Sequence, residues 1–215
     1  YYIKYIRVTL VRWKCFSALT TKIGEKPMHK LICFEGINYA GKTSVSTTVA
    51  EQIGALYGPR IAKRYVIREK KIHGNLDHLV RFSFFIEEIN ARSKEILKIL
   101  SKQDVILDRY LLSILAYHNI IVGERLEELT DLNKINKPDI TFLLTVNRRV
   151  LRKRMKIRPP KHQYDSDPVF LMRVQKEFLR LIREEIFVVI DTSNRTVEET
   201  TNLVTKELHG HGLIA

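Results

Sequence analysis

Leu31-Ile32-Cys33-Phe34-Glu35-Gly36-Ile37-Asn38-Tyr39-Ala40-Gly41-Lys42-Thr43 runs from an apolar β-type stretch through GxxxxGKT and into a helical pattern. That is the setting a phosphate-binding loop requires: a buried strand, a glycine turn whose backbone N–H groups point inward, and a helix N-terminus that adds partial positive charge. Gly36 and Gly41 permit the turn, Lys42 is placed to reach the β- and γ-phosphates of ATP or GTP, and Thr43 to hold Mg²⁺. The expected triphosphate site is therefore Gly36, Ile37, Asn38, Tyr39, Ala40, Gly41, Lys42, Thr43 and Ser44. At a glycine usage of about 7% per position, a random chain of this length matches on the order of once in a hundred, before the strand and helix are counted.

Outward from this loop, short apolar runs alternate with longer helical patterns. Strands are predicted at 31–35, 64–67, 105–107, 140–146 and 187–190, and helices at 42–56, 76–100, 111–122, 124–132, 148–157, 168–185 and 197–208. Such alternation implies an α/β protein: three α/β/α layers, with helices on both faces of a five-stranded parallel sheet. Residues 158–167, with two prolines and no regular period, read as a mobile loop; a short lid is expected over about 156–168.

The 215 residues suit one domain, 28–215, and 45% apolar residues fill its core. No apolar run approaches the roughly 18 residues of a membrane span. Cys15 and Cys33 fit neither a metal spacing nor a disulfide framework, so a reducing cytoplasm is the expected location. Of the net charge of +13, residues 1–27 carry +5, and the remaining +8 suits an enzyme of two phosphorylated ligands. Residues 1–27 precede Met28, a natural start; upstream translated sequence, a cloning remnant, an Arg-rich leader and an authentic extra hairpin all stay open.

A phosphate loop alone names no reaction. Val105-Ile106-Leu107-Asp108-Arg109-Tyr110 ends a second buried strand in Asp-Arg-Tyr, with Ser113 and Ala116-Tyr117 following. At a strand end beside the phosphate loop, Asp108 can hold the waters of Mg²⁺ and Arg109 can clamp a phosphoryl oxygen. Here the chain resembles the thymidylate kinases, whose pattern at this point is DRYxxSxxAY. Lys137-Pro138-Asp139 is similar to the family's KPD, Arg154-Met155-Lys156-Ile157-Arg158 to its RxxxR entering the lid, Arg68-Glu69 to its Arg-Glu-Pro, Tyr164-Asp165 to a lid aromatic-acid pair, and Asp191-Thr192-Ser193 to its adenine loop.

The resemblance implies that Lys42, Asp108, Arg109 and Arg158 are catalytic, that Arg154 and Ser193 lie at the adenine, and that Thr43 and Asp108 serve the metal. For the acceptor it implies Asn38, Arg68, Phe84, Phe85, Arg92, Arg109, Tyr117 and Tyr164. It further implies phosphoryl transfer from Mg·ATP to dTMP, and a homodimer. Among the departures from the family pattern, two bear on the acceptor. The third variable loop position, usually acidic in the family, is Asn38, and the arginine expected four residues after a helical phenylalanine is replaced by Glu88 or Ile89, with Arg92 one turn on. The base is thus open to dUMP, UMP or CMP as well. Another small-molecule kinase, a nucleic-acid-binding ATPase and a nucleotide sensor are the competing classes; the ATPase is disfavoured because no second nucleic-acid module is present.

Overall fold

The computed structural model describes residues 29–58, 62, 65, 66, 68, 72, 77–160, 163–182 and 187–214; residues 1–27 lie outside it. β1 (Leu31–Glu35) is buried at all five positions, as a strand covered on both faces must be. Its side chains alternate between two cores. Ile32 and Phe34 join Val45 and Val49 of α1 (Lys42–Ile53), while Leu31 and Cys33 join Ile89, Ile96 and Leu100 of α2 (His78–Leu100). Opposite faces of one strand thus pack on different helices, which makes the layers three.

The sheet has five parallel strands in the order β2-β3-β1-β4-β5, with β2 at Leu56–Tyr57, β3 at Val105–Asp108, β4 at Ile140–Thr145 and β5 at Phe187–Asp191. β1 lies at its centre, so the chain builds outward on both sides of it. The register sets Phe34 beside both Asp108 and Phe142, bringing the ends of β1 and β3 level. Ligands of such sheets bind beyond these carboxyl ends.

α3 (Leu111–Val122), α4 (Arg148–Ile157), α5 (Pro168–Leu181) and α6 (Val197–Gly210) complete the helices. Their starts follow from capping chemistry. Asn147 accepts from the Val150 N–H, Asp167 from Val169 ahead of Pro168, and Thr196 forms a capping box with Glu199. Among the described residues no helix is long and apolar enough to cross a membrane.

Three expected elements differ. α1 ends at Ile53, short of 56, because Gly54 takes a left-handed conformation (φ 67°) and its N–H closes on the Ala50 carbonyl. The chain released there supplies the edge strand: Leu56 N and Gly58 N donate to the carbonyls of Asp104 and Ile106, both at 2.8 Å. The strand expected at 64–67 is accordingly not the fifth member of the sheet; its described residues, Tyr65 and Val66, are helical, and 64 and 67 lie outside the described residues. Tyr65 packs instead with Ala62, Phe84 and Ala91. The helix expected over 124–132 contracts to a single 3-10 turn, Leu126–Glu128, since Leu126 alone is buried and Leu129 is 71% exposed. The segment expected to form the lid carries a second such turn, Gln163–Asp165, between α4 and α5.

Candidate active site

The loop after β1 is forced by glycine. Gly36 adopts φ 135°, and a Cβ there would lie 2.2 Å from the Leu144 carbonyl oxygen of β4. The turn buries Ile37 and Ala40 and delivers Lys42 to the start of α1, where the side chain is 5% exposed and its Nζ donates to the Ile37 carbonyl at 2.8 Å. Burial, and after it the Arg109 guanidinium, pull the Lys42 pKa down to about 7 against the opposing pull of Asp108, Glu35 and Asp165. An ammonium so poorly solvated is matched to anionic oxygens brought next to it. Thr43 and Ser44 remain exposed on the first turn of α1.

Beside the loop stands the strand end of β3. Thr43 Oγ1 donates to Asp108 Oδ2 at 2.5 Å, while Asp108 Oδ1 is buried with no hydrogen-bond partner. An unsatisfied carboxylate oxygen next to a threonine hydroxyl is a hard, oxygen-only donor set, suited to a divalent cation of the Mg²⁺ type. Arg109 follows with φ 76°, a left-handed conformation unusual for a residue other than glycine and one that turns its side chain back across the loop. Its Nη1 donates to the Gly36 carbonyl (3.2 Å) and Ser113 Oγ (2.9 Å), its Nη2 to Asn38 Oδ1, and its guanidinium lies 5.3 Å over the Tyr117 ring.

Glu35, the last residue of β1, organises this turn and was absent from the expected site. It is 1% exposed; its carboxylate accepts from Tyr110 N (2.8 Å), Ser113 N (3.2 Å) and Ser113 Oγ. Burial raises its pKa, and the Ser113 hydroxyl, Arg109 and the two backbone N–H groups resist that rise. A glutamate closing an otherwise apolar run was the only signal in the sequence.

At the opposite side Arg154 clamps the loop to the turn after β5. Nη1 donates to the Tyr39 carbonyl (2.8 Å) and Thr192 Oγ1 (3.0 Å), and Nη2 to the Thr192 carbonyl (2.7 Å). With its edge thus engaged, the planar group offers a face for stacking. Thr192, also missing from the expected site, donates to the Ala40 carbonyl at 3.0 Å, and Ser193 Oγ accepts from Asn147 N at 2.8 Å.

Toward the lid, the Asn38 N–H donates to the Tyr117 hydroxyl (3.3 Å) and the Asn38 side chain to Asp165. Tyr164 packs between Phe170 (5.6 Å between rings), His78 (6.3 Å) and the Arg81 guanidinium (5.6 Å). Arg158 is exposed at the end of α4, and its charge acts on Tyr39, whose pKa burial and Asp165 raise and Arg158 lowers. The α2 residues divide by face. Phe84 meets the Arg68 guanidinium at 5.5 Å, whereas Phe85 packs at 5.8 Å on His118, whose pKa burial lowers to about 4. Arg92 is 3% exposed, pairs with Glu88 at 3.3 Å, lies 5.4 Å over the Tyr110 ring and donates to the Arg109 carbonyl at 3.4 Å.

The family model for thymidylate kinase matches residues 34–204. The chain belongs to the thymidylate kinase family. A probable thymidylate kinase of Methanocaldococcus jannaschii is 34% identical over 176 residues, 80% of this chain and 91% of the relative. Another, from Methanococcus aeolicus, is 29% identical over 191 residues, 84% and 96% of the two chains. Among solved structures, thymidylate kinase from Candida albicans superposes with a TM-score of 0.69 at 18% identity, covering 86% of this chain and 93% of that one. A deoxyadenosine kinase from M. mycoides gives a TM-score of 0.61 at 19% identity, over 84% and 99%. These two likenesses concern the fold. As a thymidylate kinase family member the chain is an ATP-dependent phosphotransferase of nucleotides.

Of the residues expected to act, Asn38, Lys42, Thr43, Asp108, Arg109 and Tyr117 converge beyond the ends of β1 and β3. Arg154 and Ser193 gather at the β5 turn, and Arg68 with Phe84 forms a separate group flanking α2. Arg92 stands behind Arg109, on its backbone side.

Proposed function

We propose that this thymidylate kinase family member transfers the γ-phosphoryl group of ATP to a phosphate oxygen of dTMP, giving dTDP and ADP, with Mg²⁺ as the metal. The reading rests on one observation above all: the lysine of the phosphate loop, the Thr43–Asp108 pair and the Arg109 guanidinium are assembled within one turn of the sheet's carboxyl edge. A bond forms between the acceptor phosphate oxygen and Pγ as the Pγ–O bond to ADP breaks, so the protein's task is to place two anions in line and neutralise them.

Loop N–H groups and Lys42 hold the β- and γ-phosphates. Arg109, held from below by Gly36 and Ser113, takes the acceptor phosphate, and Arg158 comes in from the lid. Thr43 and Asp108 would hold Mg²⁺, directly or through its waters, and its charge would offset that of the phosphate oxygens. Arg154 stacks on adenine, with the Ser193 turn beside it. Arg68, Phe84, Phe85, Tyr117 and Tyr164 bound the acceptor, and closure of the lid excludes water.

An ADP-release assay with Mg·ATP and each of dTMP, dUMP, UMP and CMP tests this reading. Turnover is expected with dTMP, lost on chelation with EDTA and in Asp108→Ala. Preference for another monophosphate would move the specificity; release of ADP without regard to acceptor would overturn the kinase assignment.

A further inference from the structure

Asn38 stands between a cation and an anion from different parts of the fold. Its Oδ1 accepts from Nη2 of Arg109 and its Nδ2 donates to Oδ1 of Asp165, while its backbone N–H is held by the Tyr117 hydroxyl at 3.3 Å. An amide's two ends are not interchangeable. Turned over, it would set oxygen against carboxylate and NH₂ against guanidinium, so the charges on either side fix its orientation. Asp165 belongs to the lid turn Gln163–Asp165 and is 9% exposed. A carboxylate taken this far from water is costly unless hydrogen-bonded, which makes the packed position of the lid turn depend on the Asn38 amide.

Arg109 is otherwise tied to the phosphate loop and α3, through the Gly36 carbonyl and Ser113. Asn38 is the partner by which the lid reaches it. The charge of Asp165 also extends to its neighbours, raising the pKa of Tyr39 and opposing the fall in that of Lys42. We propose that Asp165 and Asn38 form a relay that aligns Arg109 for the acceptor phosphate when the lid turn packs on the phosphate loop. Both are positioning residues that act through Arg109; the inference rests on the acceptor reading given above. The carboxylate of this site is thereby supplied by the lid, and the alignment of the guanidinium is conditional on closure. Asparagine at position 38 is the link that makes this possible, because an acidic side chain there would face Asp165 with like charge.

The test moves the carboxylate one link along the chain of hydrogen bonds. Asn38→Asp sets two carboxylates face to face, Asp165→Ala cuts the relay, and the double variant N38D/D165N restores one carboxylate and one amide in reversed order, with unchanged net charge. Steady-state kinetics with dTMP and Mg·ATP should show kcat/KM for dTMP falling about 10- to 100-fold in each single variant, as for loss of a charge-assisted hydrogen bond, with KM for ATP nearly unchanged in Asp165→Ala. In the double variant it should return to within about threefold of the starting protein. Hydrogen exchange of the lid amides, read on the same four proteins, should accelerate in the single variants and recover in the double. A fully active Asn38→Asp, or a double variant no better than it, overturns the relay. Should the starting protein not turn over dTMP, the acceptor reading fails by itself and the exchange series alone decides: recovery in the double variant upholds the relay, and unchanged exchange in the single variants overturns it.

Discussion

The donor side and the acceptor side proposed for this site are built on different principles. On the donor side, the phosphate cradle is a contiguous run of chain whose shape is set by backbone: a glycine that cannot carry a Cβ against Leu144, a buried lysine, and the start of α1. The proposed acceptor side is assembled from side chains of α2, the turn after β3, α3 and the expected lid, each held by another side chain, as Arg109 is by Asn38 and Ser113, and Arg92 by Glu88. A backbone cradle is rigid and tolerates many surroundings. A side-chain assembly can be retuned residue by residue, and its geometry is only as fixed as its supporting ion pairs and hydrogen bonds.

The contrast breaks most visibly at Lys42. Lys42→Ala should lower kcat about 10³-fold, near 4 kcal/mol of transition-state stabilisation, while thermal unfolding shows a fold as stable as before or more so. A loss of stability in that variant would mean that the donor side also leans on its side chains. On the acceptor side the expectation is reversed. Arg92→Met takes the guanidinium away from the Glu88 carboxylate, which is 2% exposed and keeps the Ala62 N–H, and should cost about 3 kcal/mol of folding stability in denaturant unfolding. Adding Glu88→Gln to Arg92→Met removes the unbalanced charge while keeping an acceptor for the Ala62 N–H, and should recover part of that stability while still releasing the Arg109 carbonyl. A smaller effect is expected at the clamp between loop and adenine turn: Arg154→Ala, which removes three hydrogen bonds, should raise KM for ATP about tenfold and leave KM for dTMP unaltered.

The same contrast explains which parts could be read from the sequence. Gly36 to Thr43 are neighbours in the chain, and Asp108 closes an apolar run, so the phosphate-loop motif and the parallel sheet were legible, while the register of β3 on β1 was not. Glu35 was not, because a terminal strand residue shows its burial only once the turn after β3 folds over it. The i,i+4 spacing sets Glu88 and Arg92 on one face of α2, but only the fold shows that this face is buried and that the two pair there. The edge strand Leu56–Tyr57 is too short to carry a period, and the β-type residues at 64–67 suggested a strand where Tyr65 and Val66 are helical.

The last prediction turns on the charge state of Lys42. In the ATP-free protein its pKa lies at about 7, and in the unfolded chain near the ordinary value of 10.5, so below pH 7 the folded state bears the full cost of a desolvated ammonium. That cost diminishes as pH rises from 7 to 10.5, where the unfolded chain binds more protons than the folded one. Stability of the ATP-free protein should therefore climb over this window relative to Lys42→Met. Bound phosphates reverse the sign, because they need the ammonium. Above pH 7 each ATP must first recruit a proton to Lys42, and affinity should fall about tenfold per pH unit, at about 1.4 kcal/mol each. Calorimetry of ATP binding from about pH 7.5 to 9, where terminal phosphates are already ionised, should show this slope together with uptake of nearly one proton. Lys42→Met should bind weakly and without slope. If the starting protein is also flat, Lys42 is already charged in the empty cradle, and the donor side is then pre-organised by a paired cation as well as by its backbone.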